Sequence, residues 1–556
     1  MVKKICILIS FTLFFSCFSK KQNKDVLKKN TFSNPILKGF YPDPSICKAG
    51  DSYYLINSTF AYFPGIPIFK SEDLINWKQI GNALDRPEQL DLDGLGVSRG
   101  IFAPAIHYNK GVFYIVGTLV GGKNNFIISA SNPAGPWSNP IWLPEVSGID
   151  PSLFFDKDDK TYITYNSEPP NNISGYDGHR SIKILELDIK NFKTIGTPKV
   201  IINKGAKPED KPIWIEGPHI YNKNGFYYLM AAEGGTAEQH SEVVFRSKNI
   251  LGPYKSYENN PILTQRHLKS DRKKPVTSIG HADIIEDKFG NWWGVFLGCR
   301  PYDKNDHFNT GRETFMAPVK WINDWPVFDL ERDIVKRKYD ITVDELVTDF
   351  TSVNNTFKDD FKDDNLGFDW LFLRTPLSKW YSISDGKLTI NTRPETTSGK
   401  SNPSFIGYRQ KHLFGNVSTE LSFTATLENE KAGLIAFQND KHYYFFCKSI
   451  RNNKPIVQLL KSTENGTEEI AFKSILETDN LSFKIEAKGK YYNFSYALND
   501  TDWTLLKENV DATFLSTKKA GGFVGTIYGM YTTSSGEKST NKAVYHWFEN
   551  KNKDSY

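Results

Sequence analysis

The chain is 556 residues long, with 39% hydrophobic and 24% charged residues. That is enough for two or three packed domains, and it excludes a disordered or membrane-embedded protein. The formal charge of +5 is an end effect: residues 1–30 carry seven Lys against one Asp, or +6, and the other 526 residues sum to −1. A body with that balance has no excess for nucleic-acid phosphates. Its 14% aromatic share suits pleated sheets and sugar rings.

The N-terminus places Lys3 and Lys4 before the apolar run ICILISFTLFFS and a cysteine, Cys17. Charge, a short apolar core and a small residue are the order of an export signal, too short to span a bilayer comfortably. Residues 1–17 are therefore expected to be a signal peptide. The protein is expected to be exported to the periplasm or cell envelope, either lipid-anchored through Cys17 or simply cleaved nearby. Such an anchor is the only membrane contact expected. Residues 18–30 are polar and read as a tether. Cys47, Cys299 and Cys447 are widely spaced, which fits neither a disulfide framework nor zinc ligation. Cys447, inside YYFFC, reads as a small buried hydrophobe.

Five segments share one grammar: DPSICKAGDSYYLINST from Asp43, APAIHYNKGVFYIVGT from Ala103, DPSLFFDKDDKTYITYN from Asp150, EGPHIYNKNGFYYLMAAE from Glu216 and HADIIEDKFGNWWGVFLG from His281. Each has a distinctive first residue, a short apolar strand, a turn rich in Gly, Asp and Asn, and a strand dense in aromatics. That is a β-hairpin. Three are followed by a phrase of Ser, turn and aromatic (Ser71 to Trp77, Ser131 to Trp137, Ser247 to Tyr254), read as an outer strand. Four strands in roughly 50–65 residues, repeated five times, predict a five-bladed β-propeller over residues 31–335. Residues 336–358 carry no repeat phrase and read as a connector. Alternating strands without helices from residue 359 to 556 predict a C-terminal β-sandwich of concanavalin-like jelly-roll type, so the fold class is all-β.

In a propeller, equivalent positions at the start of the inner strands gather around one mouth. Here those positions hold Asp43, Ala103, Asp150, Glu216 and His281. Asp at a strand start commonly makes only a turn hydrogen bond. Three carboxylates aligned by the repeat are harder to explain structurally, because unpaired buried charge is costly. Two carboxyl groups of unequal acidity flanking one bond are the machinery of glycoside hydrolysis. Phe60, Phe63, Phe102 and Trp214 are candidates for the apolar walls.

KGFYPDPSI, GIDPSLF, WIEGPHI and GRETFMAPVKW together resemble glycoside hydrolase family 43. FKDDFKDDNLGFDWLFLRTP, NPSFIGYRQ and AGLIAFQN resemble the sandwich of its two-domain β-xylosidases and α-L-arabinofuranosidases. The resemblance implies an inverting exo-glycosidase acting on hemicellulose-derived oligosaccharides. Asp43 would be the general base, Glu216 the general acid, and Asp150 the residue that tunes and orients the acid. It further implies substrate contacts from Arg312, whose alternative is a structural ion pair, and from Phe60. Phe102 stands where many relatives carry Trp. No cofactor is required. His281 is implied either beside a structural calcium or as a neutral hydrogen-bonding group, the latter because imidazole is an unusual calcium ligand. The aromatic that the sandwich lends to the pocket is Phe523 or Tyr528. A non-catalytic glycan-binding surface lipoprotein, and a fructan-active propeller enzyme, are the competing readings.

Overall fold

The computed structural model describes residues 28–344, 356–499 and 502–553. The expected signal and all but the last residues of the expected tether lie outside them. Five antiparallel sheets, four of them four-stranded and the fourth in order five-stranded, follow one another in the first half, one per repeat segment. Their innermost strands are Ser45–Ala49, Gly100–Asn109, Ile149–Phe155, Glu216–Lys223 and Thr277–Glu286. Each packs against the next, and the fifth against the first, so blades I to V close into a ring. The N-terminal segment completes the closure. Asn34 Nδ2 donates to Met316 O (2.8 Å), and the Leu37 and Tyr41 amides donate to Thr314 O and Arg312 O along blade V.

Two expectations change. The Ser-turn-aromatic phrases are the turns between third and fourth strands rather than outer strands. In blade I, strand Gly65–Ser71 ends at the phrase's Ser, and the outer strand Lys78–Leu84 starts after its Trp. The aromatics recur because each closes its turn: Trp77 Nε1 donates to Leu74 O (3.1 Å), Trp137 Nε1 to Pro133 O (3.1 Å) and Tyr254 Oη to Ile250 O (3.0 Å). Second, the expected connector carries strands. Lys338–Val343 pairs with Lys28–Ser33, drawing in the end of the expected tether, and Thr356–Asp359 already belongs to the sandwich.

The C-terminal half is two stacked antiparallel sheets. Their inner faces meet in a core of aromatic and aliphatic side chains, where Phe446 and Phe483 pack edge to face at 4.7 Å. Among the described residues of this half, the 3-10 turn Ala512–Leu515 and the short α-helix Thr517–Ala520 interrupt the all-strand expectation, with the Ser516 hydroxyl accepting from Lys518 N as the helix cap. The halves are sewn together. Blade I lends the two-residue strand Tyr62–Phe63 to the edge of a sandwich sheet, where it pairs with Leu373 and Phe372. Buried Arg374 and Arg409 reach back to donate to Leu95 O (2.7 Å) and Phe40 O (2.8 Å). Cys47, Cys299 and Cys447 are free and buried.

Candidate active site

The inner strands are irregular where the site needs them to be. Register slips between Phe102 and Ala105, Ile149 and Ser152, Glu216 and His219, and Gly280 and Asp283. Pro104, Pro151 and Pro218 occupy three of these slips, where no ladder N–H is available. Asp43, Asp150 and His281 take positive φ values of 51°, 56° and 54°. At Asp150 and His281 a bulge breaks the in-out alternation of the pleat, and Asp43 stands just before strand Ser45–Ala49, so these side chains reach the mouth of the channel. Gly217, at φ +57°, is the glycine the design demands, because a Cβ there would lie 2.8 Å from His281 Nε2.

Asp43, Asp150, Glu216, His281 and Arg312, each less than a tenth exposed, thus line one cavity of 510 Å³. The carboxyls have unlike surroundings. Asp43 Oδ1 accepts from Arg312 Nη1 (3.0 Å) and its Oδ2 from the Ser58 hydroxyl (2.6 Å). Burial pushes Asp43 up, but Arg312, His281 and Ser58 together outweigh it and hold the carboxyl below its usual range. Glu216 receives no hydrogen bond among the described residues. Burial first and the Asp43 charge second push it up to about 7, against the pull of Arg312. Asp150 accepts the Gly217 amide (3.2 Å), the peptide adjoining Glu216. Burial, then Glu216, then Asp43 raise it well above the ordinary carboxylate range. His281 is pushed by burial down to about 4 and is neutral at pH 7.

Aromatic rings close the cavity. Phe60 packs against Phe102 at 4.9 Å and lies stacked with Phe523 at 5.7 Å and 24°, and Arg312 sits 5.8 Å and 5.5 Å from the Phe60 and Phe523 ring centres. Phe523 is therefore the ring lent by the sandwich. Its amide donates to Ser98 Oγ (2.9 Å), whereas Tyr528 is buried inside the sandwich against Tyr492. Backbone of the two domains touches beside this point, since a Cβ on Gly311 would fall 2.8 Å from Gly525 Cα. Phe63, another candidate wall, is in the interdomain strand instead. Trp214, 40% exposed, stands at the rim with Arg99 and Arg180. The two arginines carried no sequence signal, because each lies in a loop outside the repeat.

Beneath the carboxylates lies a second polar layer. Asp283 accepts from the Ser45 hydroxyl (2.9 Å), the Ile46 amide (2.9 Å) and the Tyr221 hydroxyl (2.6 Å), and Ser152 bonds His219 Nδ1 at 3.0 Å. Between the layers is a void of only 10 Å³, bounded by His219, His281 and the proline-containing main chain. Calcium takes six to eight oxygens, and Asp283 is already committed. Among the described residues no cluster of three His, Cys, Asp or Glu is arranged for a metal.

A ring of five blades with three carboxyls and an arginine sunk in its mouth defines a propeller glycosidase. The family model for glycosyl hydrolases family 43 matches residues 32–326, and that for the beta xylosidase C-terminal concanavalin A-like domain matches residues 358–551. A xylosidase/arabinosidase of Butyrivibrio fibrisolvens is 38% identical over 93% of this chain and 98% of its own. The non-reducing end alpha-L-arabinofuranosidase BoGH43B of Bacteroides ovatus is 35% identical over 94% and 95%. The solved Bacteroides ovatus GH43B from a xyloglucan locus superimposes with a TM-score of 0.85 at 34% identity, covering 94% of this chain and all of that one. A GH43_12 structure from capybara gut metagenome gives 0.80 at 40%, covering 92% and 96%. The chain belongs to glycosyl hydrolases family 43.

Proposed function

We propose that the protein is an inverting exo-glycosidase that releases terminal β-D-xylose or α-L-arabinofuranose from hemicellulose-derived oligosaccharides. The observation carrying this reading is the asymmetry of two carboxyls in one cavity. Asp43 is clamped by a guanidinium and a hydroxyl, and Glu216 is buried without a donor among the described residues. The first is built to stay ionised and take a proton from water. The second is built to hold one at neutral pH for the departing glycosidic oxygen. Asp150, bonded to the amide of Gly217, fixes the backbone that carries the acid. Arg312 both keeps Asp43 ionised and offers its remaining N–H groups to sugar hydroxyls. Phe60, Phe102 and Phe523 give the ring an apolar wall. A cavity of 510 Å³ at the mouth of the ring has room for a sugar residue. Relatives named for xylosidase and arabinofuranosidase activity support the substrate class.

The test is hydrolysis of p-nitrophenyl β-D-xyloside and α-L-arabinofuranoside by wild type and by Asp43→Asn. Turnover of at least one substrate should fall by roughly 10²–10⁴ in the variant, with oligosaccharide binding retained. A wild-type protein that binds xylo-oligosaccharides and cleaves none would instead be a binding lipoprotein.

A further inference from the structure

The innermost strand of blade V, Thr277–Glu286, slips register twice, where the other inner strands slip once or not at all. It pairs with Trp292–Cys299 at Thr277, at Gly280 and again from Asp283 onward. Ser278 and His281, one in each slip, take positive φ values of 56° and 54°. A bulge leaves main-chain groups off the ladder, and buried ones need partners from elsewhere.

The partners come from blade IV. His240 stands just before its third strand, Ser241–Ser247, and Glu242 lies two residues on. Both are buried, and neither lines the catalytic cavity. His240 Nδ1 donates to Ser278 O (3.0 Å) in the first slip, and Glu242 Oε2 accepts from the Ala282 amide (2.9 Å) in the second. The His281 amide donates to the same carboxyl. The approach is close: a Cβ on Gly280, between the slips, would lie 2.9 Å from His240 Nε2. Burial pushes Glu242 well above the ordinary carboxylate range, against the pull of the two amides, so it sits there as a neutral acceptor. An acid and an imidazole buried together are a costly way to brace a strand. The strand they brace is the one that aims His281, whose ring leaves no room for a Cβ on Gly217, the neighbour of Glu216.

We infer that His240 and Glu242 are positioning residues of the catalytic site. They set the main chain at His281 and, through its ring against Gly217, the strand that carries Glu216. This role rests on the reading of the protein as a glycosidase, and it extends the site to two side chains that no substrate reaches.

Aryl-glycoside kinetics on the full chain test it with Glu242→Gln, Glu242→Asp and His240→Phe, each alone and combined with His281→Ala. Gln keeps a neutral acceptor at the same reach and should hold kcat/KM within about twofold of wild type. Asp is one methylene shorter and Phe has no ring N–H, so each should cost about 10²-fold while His281 is present. In the His281→Ala background the same two changes should cost less than about threefold, because the imidazole that transmits the shift is gone. Histidine-labelled protein gives a readout that needs no turnover. The His281 imidazole NMR signal, identified by its loss in His281→Ala, should move in Glu242→Asp and stay in Glu242→Gln. Wild-type turnover by Glu242→Asp or His240→Phe would overturn the role, as would equal losses in both backgrounds or an unmoved His281 signal. A Glu242→Gln enzyme as weak as Glu242→Asp would overturn it too. A wild type that cleaves neither aryl glycoside, with the His281 signal moving as expected, would strike the glycosidase reading and leave the brace standing.

Discussion

Asp43 and Glu216 are both carboxylic acids buried at one channel mouth, and what separates their roles is which groups donate to them. The Arg312 guanidinium 3.0 Å from Asp43 is the deciding charge. At pH 7 Asp43 is ionised and Glu216, at about 7, is half protonated. kcat/KM should therefore decline as pH rises through about 7, where the acid loses its proton, and should fall on the acidic side only below the usual Asp range. Arg312→Met removes the charge that lowers Asp43 while burial continues to raise it. The acidic limb of the profile should then move upward by about one to three pH units, while the alkaline limb moves the same way or stays. An unmoved acidic limb in that variant would separate Arg312 from the ionisation of Asp43.

At the scale of the element, the inner strands that carry Asp150, Glu216 and His281 give up regular pairing beside the residue that does the chemistry. Gly217 shows how little room this leaves: positive φ, the His281 ring against its Cα, and its amide held by Asp150. Gly217→Ala must shift the imidazole or the strand that carries Glu216. Activity should drop by about 10²-fold, with far-ultraviolet circular dichroism unchanged. Near-wild-type turnover in a folded variant would mean that Glu216 tolerates displacement. The alignment of Asp43, Asp150, Glu216 and His281 was legible in the sequence because the repeat itself marks equivalent positions. Two of the bulges are marked there as well, by Pro151 beside Asp150 and Pro218 two residues beyond Glu216. The Ser-turn-aromatic phrases were misplaced by one element, because an indole closing a turn and one on an outer strand look alike in a linear pattern.

For the whole molecule, the catalytic cavity is complete only when both domains are docked. Phe523 comes from the sandwich, and its place is set by Ser98 and by the Gly311–Gly525 backbone contact. Both it and Tyr528 read as candidates because the choice depends on how two separate β folds meet, which no local periodicity encodes. The pairing of Lys28–Ser33 with Lys338–Val343, across some three hundred residues, was unreadable for the same reason. The domain junction includes a shared strand pair, buried arginines and an apolar cluster running from Phe40 and Phe60 to Val524 and Ile527. Propeller and sandwich should therefore unfold together in one calorimetric transition that coincides with loss of activity. Two resolved transitions, with activity surviving the first, would show the sandwich to be dispensable.

The most direct test of the central claim follows the reaction by proton NMR, with enough wild-type enzyme to outrun mutarotation. If Asp43 activates water on the face opposite the bond that Glu216 protonates, a β-xyloside must first yield α-xylose, which then drifts to the equilibrium mixture. First appearance of β-xylose would mean retention through a covalent intermediate, and would contradict the roles assigned to both carboxyls.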